Sequence, residues 1–146
     1  RSTPKPSSAA SDVYKRQVND TYGHDKGDMV LRTLSRVISQ YTDDTIHAGR
    51  YGGEEFLILF SGYTRKQAGK ILEGMLTNFR NQEYDFLPED VIITFSAGFT
   101  YLDNKNIDVE GFIKCADEAL YYSKEHGRNQ ITYYNDLRLR DMQVNR

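Results

Sequence analysis

Tryptophan is absent from this chain, cysteine occurs once and proline three times. Each shortage removes a possibility. A lone cysteine, Cys115, excludes an internal disulfide and fits a reducing, cytoplasmic compartment. It sits in an apolar helical pattern, where it reads as a small core residue. No stretch approaches the roughly 20 apolar residues that a membrane-crossing helix needs. The segment therefore has no membrane contact of that kind, although a parent protein could be tethered through another part. An excess of basic charge is missing too. The formal net charge is −2 and the lysines and arginines are scattered, so the electrostatic footprint of a nucleic-acid binder is not there. Any phosphate it binds must be held by a few placed residues. What is present, 146 residues with 38% hydrophobic and 27% charged, supports one domain with a real core.

Residues 1–17 differ from the rest. The first eleven are rich in Ser, Ala, Pro and Lys with no apolar period, and lack the apolar centre of a secretory signal. They read as a disordered or non-native leader. Val30, Leu31, Leu34, Val37 and Ile38 then mark one face of a helix over residues 27–40. A strand over 46–50 and a second over 55–60 flank a Gly-Gly turn. The second strand is apolar on both faces, as expected inside a covered sheet. Thr64 and Gln67 form a capping-box pattern opening a second helix, buried through Ala68, Ile71, Leu72, Met75, Leu76 and Phe79. Residues 81–90 read as a loop, with room for a short strand at 84–86. A strand interrupted by Gly98 follows over 91–101. A third helix starts after Asp108 and stops at Gly127, and a last strand covers 130–134. Residues 136–146 form a charged tail. Helices mixed with hairpins predict an α+β domain over 18–135 with a largely antiparallel sheet.

The stretch Arg50-Tyr51-Gly52-Gly53-Glu54-Glu55-Phe56 carries the most chemistry. Two glycines make a tight hairpin, and two adjacent carboxylates on it call for a positive partner, either a metal or a basic side chain. Three other segments accompany it: Val18-Asn19-Asp20-Thr21-Tyr22-Gly23-His24-Asp25-Lys26-Gly27-Asp28, then Thr94-Phe95-Ser96-Ala97-Gly98, then Ala116-Asp117-Glu118-Ala119-Leu120-Tyr121 running on to Lys124 and Arg128. Together, in this order and spacing, they resemble the GGDEF family of bacterial diguanylate cyclases in its GGEEF spelling.

The resemblance implies a nucleotide-cyclase, palm-like fold and a condensation of two GTP molecules into cyclic di-GMP plus pyrophosphate. It implies two divalent ions per active site, Mg2+ or Mn2+, and a homodimer that brings two GTP-loaded half-sites face to face. An upstream regulatory domain in the parent protein is a further implication. Glu54 matches the family's metal-binding, catalytic acid, and Glu55 its catalytic neighbour. Gly52 and Gly53 match the turn that admits the nucleotide. Asn19 and Asp28 match the guanine-recognising pair, and their groups suit the base: a carboxylate accepts from N1–H and N2–H, an amide serves another edge. Read without the family, Asn19 is equally a turn residue and Asp28 a helix cap. Lys124 and Arg128 match triphosphate contacts; if the helix persists, both point one way, as an ordinary charged helix end also would. His24 either acts chemically or packs. Asp117 reads as structural, and Tyr121 and Tyr122 as core and rim.

Two departures from the pattern matter. The family carries a strand ending in Asp-x-Asp-x-Phe-Lys before the Asn19 position, and its first Asp, a metal ligand, falls here at Ser11. A neutral hydroxyl is a poor substitute for a carboxylate on magnesium. Asp12 is adjacent, but a one-residue slip along a strand changes face. The chain thus reads as an N-terminally truncated or mis-joined member lacking a proper first strand, with impaired turnover and weakened folding. The alternative function is a non-catalytic module that binds GTP or serves as a signalling partner. The second departure is Asp43, where many relatives place the arginine of an inhibitory product site; a carboxylate there repels a dinucleotide's phosphates, so tight product inhibition is not expected.

Overall fold

A computed structural model describes residues 7–13, 15–101 and 108–137, with the backbone alone for 7–13, 15 and 16. In chain order the elements are β1 (Ser7–Val13), α1 (Lys15–Tyr22), α2 (His24–Ser39), β2 (Ile46–Arg50), β3 (Glu55–Phe60), α3 (Arg65–Arg80), β4 (Phe95–Tyr101), α4 (Val109–Glu125) and β5 (Ile131–Tyr133). The strands make one sheet in the order β2-β3-β1-β4-β5, antiparallel throughout except for the parallel β4–β5 pair. The α+β, mainly antiparallel class is thus the observed one.

The strand missing from the sequence pattern is present. Ser7–Val13 runs through the middle of the sheet, pairing β3 on one side and β4 on the other. Its composition gives no apolar alternation, but a middle strand is held by two backbone ladders, and those do not depend on side-chain type. Residues 1–6, also assigned to the leader, lie outside the described residues. A helix unforeseen in the pattern, α1, follows; its single buried apolar residue, Val18, is too weak a periodic signal.

α2 and α3 supply the main core. Val30, Leu34, Val37, Leu72, Met75 and Phe79 are buried with Phe56, Ile58, Phe60 and Phe95 of the sheet. α3 opens with the expected capping box: the Thr64 hydroxyl accepts from Gln67 N–H, and the Gln67 side chain accepts from Thr64 N–H. Asp108 caps α4 by accepting from Gly111 N–H at 2.8 Å. Gly98 does not interrupt β4. A Cβ there would stand 2.1 Å from the backbone nitrogen of Leu120, so the missing side chain is what lets α4 lie against the strand.

Four expectations change. The strand begins at Phe95, because Val91 and Ile92 are exposed and precede the pairing. No strand forms at 84–86; Tyr84 and Phe86 pack onto the core instead. β3 is not covered on both faces: Leu59 is 40% exposed, so one face lies open beside the β2 edge. Cys115 is half-buried rather than core. Residues 134–137 make one helical turn, and the rest of the charged tail lies outside the described residues.

Candidate functional site

The hairpin is built as its glycines require. Tyr51 N–H donates to the Glu55 carbonyl at 2.8 Å, and the Arg50 guanidinium reaches over the turn to donate to the Gly53 carbonyl at 2.6 Å. Gly52 has φ +105°, a conformation that favours glycine. Gly53 does not, yet a Cβ at either position would meet nothing within 4 Å. Open space therefore lies above both. Glu54 and Glu55 are half-buried beside it. Arg50, the nearby cation that could neutralise them, spends its recorded hydrogen bond on a carbonyl. Glu54 has no hydrogen-bond or ion-pair partner among the described residues. On the neighbouring strand the register sets Ser11 opposite Phe56 and Asp12 opposite Glu55.

Arg50 and Phe56 also wall a cavity of about 390 Å³ with Asp28, Leu31, Arg32 and Ser35 of α2. The hairpin and Asp28 are thereby brought together. Asp28 lies inside α2, not at its cap; the cap position is Gly23, with no side-chain hydrogen bond. Asn19 does not line this cavity and is not a turn residue. It lies in α1, its carbonyl accepting from Gly23 N–H at 2.8 Å. Its side-chain Oδ1 is buried without a partner among the described residues, a cost of about 1–3 kcal/mol that a donor from a ligand would relieve.

Lys124 and Arg128 do not share a helical face. α4 ends at Glu125, Gly127 has φ 108°, and Arg128 and Asn129 follow in the left-handed region at φ 59° and 50°. Two consecutive non-glycine residues there are strained by about 1–3 kcal/mol each, and such strain concentrates at functional sites. The turn is held by Arg128 N–H donating to the Ser123 carbonyl and by the Gln130 amide donating to the His126 carbonyl at 2.6 Å. Ser123 in turn donates to the Ala97 carbonyl, anchoring the loop to β4. Arg128 lines a separate cavity of about 470 Å³ against Gln17, Thr21 and Tyr22 of α1 and Thr94. Lys124, in the last turn of α4, faces Asp117. Burial pushes the Asp117 carboxyl above its ordinary value, and Lys124 opposes the shift. His24 is exposed, Tyr121 is 64% exposed, and Tyr122 stacks on His126 at 3.7 Å.

The site thus has three parts: hairpin acids with Asp28, Arg128 against α1, and Lys124 with Asp117. Arg50, which clamps the turn and walls the Asp28 cavity, was not singled out by motif spacing, although its place directly before Tyr51-Gly52-Gly53 is a usable signal. The hairpin carboxylates suit a hard divalent cation, because one of them, Glu54, lacks a protein partner among the described residues. Among the described residues, no three His, Cys, Asp or Glu side chains gather into a complete cluster. At the product-site window, the Asp43 carboxylate accepts from Thr45 N–H, the Thr45 hydroxyl and Ile46 N–H at 2.6–2.9 Å. The Thr45 hydroxyl bond is the main cause holding its carboxyl below the ordinary value.

The diguanylate cyclase GGDEF domain profile matches residues 11–130. Diguanylate cyclase A of Treponema denticola is 32% identical over 120 residues, covering 80% of this chain and 32% of that protein. This chain therefore spans about a third of the length of that curated relative. Among solved structures, the GGDEF domain of DgcB from Caulobacter crescentus, in complex with c-di-GMP, superposes with a TM-score of 0.83 at 29% identity, over 90% of this chain and 79% of that one. The active GGEEF domain of a Vibrio cholerae diguanylate cyclase gives 0.77 at 32% identity, over 89% and 83%. The middle strand, the Gly-Gly hairpin and the helices around it are those of a known fold: this chain belongs to the GGDEF domain family of diguanylate cyclases.

Proposed function

We propose that this domain binds GTP and condenses two GTP molecules into cyclic di-GMP and two pyrophosphates, at a rate lowered by Ser11. The observation that carries this is Glu54: a half-buried carboxylate without a protein partner among the described residues, on an open glycine turn joined through Arg50 and Phe56 to the Asp28 cavity. Asp28 would accept from the guanine N1–H and N2–H, and the unpartnered Asn19 Oδ1 would accept a further base donor. Gly52 and Gly53 leave room for the nucleotide to pass close to the backbone. Lys124 and Arg128 would counter the phosphates, Arg128 held in place by its strained turn. Glu54 and Glu55 would hold Mg2+ or Mn2+. When bound, such ions neutralise phosphate charge and polarise the reacting oxygens. Each GTP's 3′-hydroxyl, losing its proton, attacks the α-phosphorus of the other, so two O–P bonds form and two pyrophosphates leave; two domains must therefore face each other, and a homodimer is part of the proposal. Cytoplasmic placement and control by a further domain of the parent are also part of it. No helix among the described residues is long and apolar enough to cross a membrane.

A second reading, GTP binding without turnover, is favoured by one observation, the serine at position 11. Incubating the chain with GTP and Mg2+ and assaying cyclic di-GMP separates the two. Slow product that disappears in Glu54→Gln supports the cyclase; saturable GTP binding with no product supports the binding module. Absence of GTP binding contradicts both.

A further inference from the structure

We propose that Phe86, on the loop between α3 and β4, is a positioning residue for guanine recognition, acting by clamping the corner between α1 and α2. The inference rests on the guanine role proposed for Asn19 and Asp28. Those two residues lie on different helices, joined only by Gly23 at φ 97°. Gly23 is the pivot. Its N–H closes α1 on the Asn19 carbonyl, and its own carbonyl accepts from Lys26 and Gly27 N–H at 3.2 Å to start α2. A glycine in this region has more conformational freedom than any other residue, so the angle between the helices must be set by side chains packed across it.

Phe86 does this from both sides. Its ring meets the Tyr22 ring, at the end of α1, edge-on at 5.3 Å. The Lys26 ammonium, in the first turn of α2, stands 5.3 Å over its centroid. Tyr84 backs it with a tilted contact at 5.5 Å. Edge-to-face rings and a cation over a ring both depend on ring geometry rather than on bulk alone. Tyr84 is itself half-buried, and burial pushes its phenol above the ordinary value. Through Tyr22 and Lys26, Phe86 sets the distance between Asn19 and Asp28.

The test uses the full 146-residue chain and three ligands: GTP, ATP and inorganic tripolyphosphate, each with Mg2+. Phe86→Ala should weaken GTP about tenfold, narrow the GTP-over-ATP preference, and leave tripolyphosphate unchanged. Phe86→Tyr, which keeps the ring, should restore GTP affinity, whereas Phe86→Leu should not. Amide exchange in the ligand-free protein supplies an independent arm, with residues 19–28 exchanging at least tenfold faster in Phe86→Ala and α3 unaffected. Equal losses for GTP and tripolyphosphate, full rescue by leucine, or unchanged exchange at 19–28 would overturn the clamp. Wild-type protein that does not prefer GTP to ATP would instead overturn the guanine reading, while faster exchange in Phe86→Ala would still hold for the corner itself.

Discussion

Gly52 and Gly53 differ in what they ask of the chain, and the difference separates folding from function. Gly52 is held at φ +105°, so Gly52→Ala strains the hairpin by about 1–3 kcal/mol. Gly53 has no positive φ and a Cβ there would meet nothing within 4 Å, so Gly53→Ala should change stability by no more than about 0.5 kcal/mol. If the nucleotide passes over this turn, the same methyl should weaken GTP roughly tenfold, about 1.4 kcal/mol. Thermal melts and a GTP titration on one variant check both halves; unchanged affinity would move the substrate path elsewhere. Asp43 makes a second residue-scale case. Its carboxyl is lowered by hydrogen bonds from Thr45 and Ile46. In the window between its lowered and ordinary values the folded chain binds fewer protons than the unfolded one, so its stabilisation is present above the ordinary value and is lost as pH falls through the lowered one. The Tm gap between wild type and Asp43→Ala should therefore shrink as pH falls from about 5 to about 3. A gap that does not change with pH would show that the carboxylate charge is not what holds the turn. The same three bonds leave this side chain turned on its own loop, in keeping with weak product inhibition here.

At the scale of elements, α4 depends on a residue that looks like an interruption. Gly98→Ala places a methyl into the backbone of Leu120 and Ala116, which cannot move as a flexible side chain could, so the loss should exceed about 3 kcal/mol. Gly69, in the second turn of α3, is the contrast. Its Cβ would meet only the tip of Phe99 at 3.5 Å, an ordinary contact, so Gly69→Ala should gain about 0.5–1 kcal/mol from helix propensity. Chemical denaturation of the pair, with opposite signs, checks the packing; a mild Gly98→Ala would mean that α4 sits further from β4. Elements with a local signal were legible in the sequence: Thr64 with Gln67, Asp108, the apolar stripe of α2, the glycines of the hairpin. β1 and α1 were not. Ser7–Val13 carries no alternation because its place is set by two neighbouring strands, and the apolar residues that α1 buries are Val18 and part of Tyr22. The site divides along the same line. Its hairpin acids follow from a local motif, whereas the separation of Arg128 from Lys124 follows from three successive left-handed residues after α4, a backbone path that side-chain spacing does not reveal.

For the whole molecule, the decisive feature is that the sheet is complete. With Ser7–Val13 between β3 and β4, no backbone edge is left open in the middle of the fold, so the weakened folding expected from a missing strand loses its cause. What remains altered is chemical: serine at 11, where the family resemblance implies a carboxylate, with Asp12 at the register position opposite Glu55. The most direct measurement is the rate of cyclic di-GMP formation from GTP and Mg2+ by wild type, Ser11→Asp and Asp12→Asn, compared with an intact GGDEF domain. Wild-type turnover should be slow, Ser11→Asp should raise it at least about tenfold, the scale of effects seen at metal-site residues, and Asp12→Asn should change it little. Wild-type turnover equal to the intact domain, abolished by Asp12→Asn, would contradict that expectation.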